Sequence, residues 1–262
     1  MKLGTIESIY RYPVKGMRGE EIPYTYTAFT GLMGDRIYAV VAADGDPGHP
    51  WHTGRDYEEF ILNTPRFVNS DDVLLPPTLD ATYSEWPQGI DPYYQDKDSF
   101  KVSVETPEGV TFDDIEDPAF IAHLEKLSER SLRIHHTQRG IFDARPVSLI
   151  STSAVAQIGE DMGMTMDKRR FRANFYIEWE NQDDPFLELS LVGKTLKIGD
   201  HLEIKIDLRD PRCKAITLDP DTAETTPKLL RYLAKNHEGD AGVFGVVLQR
   251  GRVNKGDSII LA

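Results

Sequence analysis

The chain has 262 residues, 40% of them hydrophobic and 28% charged, enough for a packed core in one large or two ordinary domains. A formal charge of −13 argues against a nucleic-acid surface, and the single cysteine, Cys213, excludes a disulfide framework and fits a reducing compartment. The start, Met1-Lys2-Leu3-Gly4-Thr5-Ile6-Glu7, has no apolar run suited to a signal peptide, and no later stretch approaches membrane-spanning length, so a soluble cytoplasmic protein with no membrane partner is expected.

The first half reads as β-structure. Gly4 to Tyr12 alternates over a short strand, and Pro13 to Gly19 breaks it with one proline and two glycines. Ile22 to Phe29 is a second expected strand, Gly31 to Arg36 a turn, and Ile37 to Val41 a third strand with β-branched and aromatic content. Glu58 to Leu62 fits either a short helix or a strand. Asn69 to Ser99 is rich in Pro, Asp and Tyr and reads as a long irregular excursion. Phe100 to Glu105 resumes as a strand, turning at Pro107-Glu108-Gly109 into Val110-Thr111-Phe112.

Helices enter later. Asp117-Pro118 opens one that carries Phe120, Leu124 and Leu127 on a face, and Ser151-Thr152-Ser153 caps another that closes near Gly163. Phe171 to Glu180 alternates as a strand, Thr195 to Ile206 as a hairpin, and Pro227 to Lys235 as a helix with Leu229, Leu230 and Leu233 together. Val243 to Gln249, Arg252-Val253 and Ile259 to Leu261 end the chain as strands. Strands dominate and do not alternate regularly with helices, which points to antiparallel barrels or sandwiches and not to a doubly wound sheet. A boundary is expected between residues 105 and 130, with the first strand able to cross back to the second half.

Cys213 stands between Arg212 and Lys214, neighbours that favour a thiolate, although a small buried hydrophobe is the plainer reading of a lone cysteine. No zinc-ligand pattern, Walker loop, dinucleotide fingerprint or serine elbow is present. His135 and His136 are adjacent and would face opposite sides of a strand, while His201 or His237 leaves a weak cysteine–histidine pairing open. The cations cluster: Lys168-Arg169-Arg170-Phe171-Arg172 packs four into five residues, and Lys15, Arg18, Arg36, Arg55, Arg145 and Arg212 stand beside turns. Local positive charge in an acidic chain suggests a site for a discrete anion, set against the plainer balance of local carboxylates.

Tyr12-Pro13-Val14-Lys15, Gly34-Asp35-Arg36, Arg170-Phe171-Arg172-Ala173-Asn174, and Arg212-Cys213 with Asp219-Pro220-Asp221-Thr222 together resemble the MOSC proteins, with the MOSC N-terminal β-barrel domain in front. Phe244-Gly245 and Lys255-Gly256-Asp257 lie where that family usually carries Phe-Gly and Gly-Asp pairs. The resemblance covers essentially the whole chain and extends to the mitochondrial amidoxime-reducing component and to bacterial proteins that detoxify N-hydroxylated bases. It implies a mainly β fold with some α: an N-terminal β-barrel-like domain over residues 1–115 and a MOSC β-barrel domain with a few short helices over 116–262.

The resemblance also implies the molybdenum cofactor (molybdopterin), with Cys213 as metal ligand and catalytic residue. Lys15, Arg36, Asp143, Arg145, Arg172, Asn174 and Arg212 would then be cofactor-binding residues, with Asn174 offering its amide to the pterin edge and Asp143 accepting pterin N–H groups. The implied activity is reduction of N-hydroxylated or N-oxide small molecules, with electrons from a separate donor protein. The alternative is a carrier that binds the cofactor without turnover, or a sulfur carrier using Cys213 without a pyridoxal phosphate domain in this chain. Gly16, Arg145 and Ala173 depart from the Ser, Ser and Pro that the amidoxime reducers carry.

Overall fold

The computed structural model describes residues 2–76, 97–181 and 183–262. β1 (Lys2–Arg11) leads through β2 (Glu20–Ile22), β3 (Tyr24–Ala28) and β4 (Gly31–Leu32) to the hairpin of β5 (Tyr38–Asp46) and β6 (His49–His52). β7 (Thr64–Phe67), β8 (Val102–Glu105) and β9 (Thr111–Phe112) precede α1 (Pro118–Ser128), β10 (Leu132–His136) and β11 (Val147–Ser151). Then come α2 (Thr152–Met162), β12 (Phe175–Trp179), α3 (Leu187–Ser190), β13 (Thr195–Ile198) and β14 (Leu202–Pro211). The chain finishes with α4 (Pro227–Asn236), β15 (Asp240–Gln249), β16 (Gly251–Asn254) and β17 (Ser258–Leu261).

The fold is mostly β, and its centre is a closed seven-stranded barrel in the order β12-β11-β15-β14-β13-β17-β1, shut by pairing of β1 with β12. Only β11 and β12 run parallel, and α2 makes the crossover that such a pair requires. Ile6, Ile9, Leu149, Phe175, Ile177, Ile198, Ile204 and Val243 belong to the apolar cluster built from these strands. The first strand therefore lies between two strands of the second half. A bulge between Ile6 and Ser8 breaks its alternation, and Ser8, Ile9, Tyr10 and Arg11 are buried in succession.

Three small sheets, β10-β5-β6, β16-β3-β4 and β7-β8-β9, surround a second core that includes Val14, Met17, Tyr26, Val40, Phe60, Val102 and Phe120. α1 contributes Phe120 and Leu124, and its Asp117 side chain accepts from the Ala119 N–H ahead of Pro118. α2 and α4 pack Val155, Ile158, Leu229 and Leu233 into a third cluster with Ile150 and Phe171. Ser151 caps α2 by accepting from Ala154, and Gly163 ends it in the left-handed conformation, both as the sequence indicates.

Some expected elements differ. The single strand expected over Ile22 to Phe29 is divided at Pro23, whose nitrogen carries no hydrogen for a ladder, giving β2 and β3. The strand expected from Phe171 begins at Phe175, because Lys168–Phe171 form a 3-10 turn and Arg172 is left-handed at φ 52°. Glu58–Leu62 is a 3-10 turn, β4 lies within the turn expected over Gly31 to Arg36, and β6, β7, β10, β11 and α3 have no counterpart in the sequence reading. In the excursion from Asn69 to Ser99, Val73 and Leu74 are buried, while residues 77–96 lie outside the described residues. No helix among the described residues is long and apolar enough to cross a membrane.

Candidate functional site

Six chain segments meet at one rim of the barrel, with Phe244 of β15 beside them: the exit of β1, the turn before β5, the stretch after β6, the approach to β11, the turn before β12 and the end of β14. They enclose a cavity of about 230 Å³. All eight residues singled out in the sequence line it: Lys15, Arg36, Asp143, Arg145, Arg172, Asn174, Arg212 and Cys213. Arg55, Arg170, Asp210, Ser148 and Phe244 line it as well. Seven lining residues are Lys or Arg and two are Asp, so the wall is strongly cationic within a chain of formal charge −13.

Tyr12 organises one side. Its N–H donates to Asp35 Oδ1 at 2.8 Å, its ring is fully buried, and the Arg36 and Arg172 guanidinium carbons each lie 4.5 Å from the ring centre. Both arginines have left-handed backbones, φ 52° in each, a conformation uncommon for residues other than glycine. Arg36 pairs with Asp35 and donates Nη2–H to the Arg172 carbonyl at 2.9 Å. Burial lowers the Arg36 pKa, but Asp35 outweighs it and holds the group above its ordinary value. Arg172 has no such carboxylate; burial holds it below its ordinary value, and its Nη2 has no hydrogen-bond partner among the described residues.

Lys15 is buried, with Nζ 2.6 Å from Asp143 Oδ1 and donating to the Ile141 carbonyl at 3.1 Å. Burial lowers the Lys15 pKa despite Asp143. Asp143 also faces Arg55 Nη2 at 3.5 Å; burial raises its pKa, but the Lys15 and Arg55 charges hold it below the ordinary carboxylate value. Arg145 is partly exposed at the edge and donates Nε–H to Asp207 Oδ2 at 2.5 Å.

Cys213 sits at the start of the 3-10 turn Lys214–Thr217, half-buried, and its thiol makes no capping bond. The two flanking cations are directed elsewhere. Lys214 pairs with Glu58 at 2.6 Å, and Arg212 pairs with Asp210 at 2.8 Å while donating to the Phe171 carbonyl at 2.8 Å and to the Ala241 carbonyl. Arg212 thereby ties the cysteine loop to β15 and the 168–171 turn. Asp210 is 6% exposed, and burial pushes its carboxyl up to about 6 against the pull of Arg212.

Asn174 differs from the expectation that its amide is free for a ligand. Its Oδ1 accepts from both Ser148 N–H and Oγ–H at 3.1 Å, and its Nδ2 donates to the Tyr10 carbonyl at 3.3 Å and to Asp35 Oδ2 at 3.1 Å. It braces Asp35, which holds Arg36. Asp219-Pro220-Asp221-Thr222 is a turn in which Asp219 Oδ1 accepts the Asp221 and Thr222 N–H groups. His201 and His237 do not line the cavity, so neither pairs there with Cys213. No group of three or more His, Cys, Asp or Glu among the described residues could by itself hold a metal ion.

The cation run at 168–172 signals Arg170, and the turn context signals Arg55. Nothing local in the sequence signals Asp210 or Ser148, which reach the cavity through pairings of β14 with β15 and of β11 with β12 and β15. Phe244 lines the cavity as well, and at Gly245 beside it a Cβ would meet Ile204 at 2.3 Å.

Residues 133–260 match the family model of the MOSC domain, and residues 3–75 match that of the MOSC N-terminal beta barrel domain. Among solved structures, the YuaD protein from Bacillus subtilis is 14% identical and covers 98% of this chain and 94% of its own, with a TM-score of 0.49. YiiM from Geobacillus stearothermophilus is 15% identical over 45% of this chain and 54% of its own, with a TM-score of 0.36. YiiM from Escherichia coli is 13% identical over 45% and 54%, with a TM-score of 0.34. No curated protein sequence matches the chain.

Proposed function

We infer, for a chain that belongs to the MOSC-domain proteins and carries a MOSC N-terminal beta barrel domain, that the cavity binds the molybdenum cofactor and reduces N-hydroxylated or N-oxide small molecules. The observation that carries this reading is the convergence of seven cations and the lone thiol on one cavity. The residues fit the group chemically. A half-buried thiol without a capping bond suits a metal already held by sulfur, and the buried Arg172 Nη2 needs an acceptor that a phosphate supplies.

Cys213 would be the protein ligand of the metal. Lys15, Arg36 and Arg172 would hold the phosphate, with Arg55 and Arg145 adding positive charge. Asp143 would accept pterin N–H groups while it neutralises part of the Lys15 and Arg55 charge. Asn174 and Arg212 act through others, the first by bracing Asp35 and the second by fixing the cysteine loop. When bound, the cofactor would supply the redox chemistry, two electrons for cleavage of the N–O bond. Asp210, with its carboxyl near 6, can hold a proton at the cavity wall for the water that leaves. A separate protein would deliver the electrons.

The test is turnover. Protein made in a host that synthesises the cofactor should reduce an amidoxime or a hydroxylaminopurine with an artificial electron donor, and Cys213→Ala should abolish it. Molybdenum-loaded protein inert toward a broad N-oxygenated panel would overturn the reductase reading and leave a carrier.

A further inference from the structure

Beside the cavity lies a smaller recess of about 30 Å³, and the two share Ile61, Arg170, Arg172 and Ala215 as wall. Four arginines line the recess, Arg18, Arg169, Arg170 and Arg172, and no carboxylate does. Arg169 is fully engaged, with Nη2 2.6 Å from Asp167 and Nη1 donating to Asp221 at 3.0 Å. The other three are not. Arg170, its side chain 5% exposed, donates Nη1–H to the Thr217 carbonyl at 2.9 Å and Nη2–H to Asp219 at 2.8 Å, but its Nε has no hydrogen-bond partner among the described residues. Arg18 donates Nη2–H to the Pro220 carbonyl at 3.0 Å and faces Asp221 at 3.4 Å, and its buried Nε also lacks a partner. The partnerless Nη2 of Arg172 completes the set.

A buried donor left unmade costs about 1–3 kcal/mol, and more on a charged group, and three of the four arginines around this recess each carry one, so an acceptor entering there gains hydrogen bonds that the protein leaves unmade. Water offers lone pairs but no charge. A tetrahedral oxyanion offers both, and guanidinium forks match its oxygens. The room agrees: about 30 Å³ holds roughly two spheres of water size at ~10–15 Å³ each, space for one such group and little else.

We propose that this recess is an oxyanion subsite that takes a phosphoryl group, held by Arg18, Arg170 and Arg172. Lys15 and Asp143 do not line it, but it shares Arg172 with the cofactor-phosphate site proposed above; its Arg18 and Arg170 contacts need no metal and are tested without the molybdenum reading. The phosphoryl group is either free inorganic phosphate or the far end of a ligand whose body lies in the larger cavity.

The experiment titrates the full, metal-free chain with inorganic phosphate at low ionic strength, followed by calorimetry. Wild type should bind two phosphates per chain, and Arg18→Gln should weaken one of them about tenfold or more while sparing the other. Arg145→Gln, altered only in the larger cavity, should leave the Arg18-dependent phosphate unchanged. An Arg18→Gln protein with wild-type phosphate binding and an unchanged unfolding midpoint overturns the proposal. If Arg18→Gln does not fold, Arg18→Lys keeps the charge but removes Nε–H and should weaken the same phosphate; binding equal to wild type overturns the proposal in that case too. With Arg18 dependence in hand, a second phosphoryl group per pterin in ligand released from cofactor-loaded protein identifies a ligand-borne source, and one per pterin identifies free phosphate.

Discussion

Replacing Asp210 with Asn reads the electrostatic balance of the cavity wall as a stability difference. The Asp210 carboxyl is pushed from its ordinary 3.8 up to about 6 by burial, against Arg212 at 2.8 Å. A shift of roughly two units at ~1.36 kcal/mol each means that ionised Asp210 destabilises the native state by about 3 kcal/mol relative to a neutral group of the same shape. Because the folded chain binds this proton more tightly than the unfolded one, the stabilising contribution is complete below about pH 4 and is lost as pH rises through about 6. Asn cannot ionise, so its stability does not follow that curve. Urea unfolding of metal-free wild type and Asp210→Asn at pH 4 and pH 7.5 isolates the group, since every other titration is common to both. The variant should gain about 3 kcal/mol on wild type between the two pH values, roughly 6–12 °C in melting midpoint. A difference that does not change with pH, or wild type gaining on the variant toward neutrality, would refute the reasoning.

Asp143→Asn should raise the affinity for inorganic phosphate several-fold at low salt, because Asp143 competes for Lys15 at 2.6 Å and Arg55 at 3.5 Å; calorimetry in rising salt should show the gain shrinking as charges are screened. Gly4→Ala should cost about 1–3 kcal/mol in chemical denaturation, since its Cβ would lie 2.3 Å from the Glu178 carbonyl oxygen and 2.9 Å from the Trp179 ring, where β1 closes the barrel on β12. Arg11→Met should cost about 3 kcal/mol, because the fully buried guanidinium lies 2.8 Å from Glu20 and donates to the Val73 carbonyl; an unchanged urea midpoint would show that the pair contributes nothing.

Local chemistry made α1 and α2 readable. Asp117 ahead of Pro118, and Ser151 with Gly163, act through neighbours in sequence, so their patterns survive folding. That the first strand could cross back to the second half was readable, but its partners were not, because Phe175–Trp179 and Ser258–Leu261 lie across most of the chain and a bulge breaks in the structure the alternation that Gly4 to Tyr12 shows in sequence. Pro23 sat inside an otherwise convincing strand, and its missing N–H decided the division into β2 and β3. The site was legible as motifs and not as roles. Arg36 and Arg172 are 136 residues apart in sequence, and only the fold sets both against the Tyr12 ring. Lys214 looks like a partner for Cys213 in sequence, but it reaches Glu58 instead. Asn174 looks like a ligand donor, yet its amide is shared among Ser148, Tyr10 and Asp35.

The most direct test of the central claim is the metal and pterin content of protein produced where molybdenum cofactor is made, for wild type and Cys213→Ala. Molybdenum and pterin near one each per wild-type chain are expected, with the molybdenum lost in the variant while its metal-free unfolding free energy stays within about 1–2 kcal/mol of wild type, the ordinary range for a single substitution. Wild-type protein with neither molybdenum nor pterin under those conditions would contradict it.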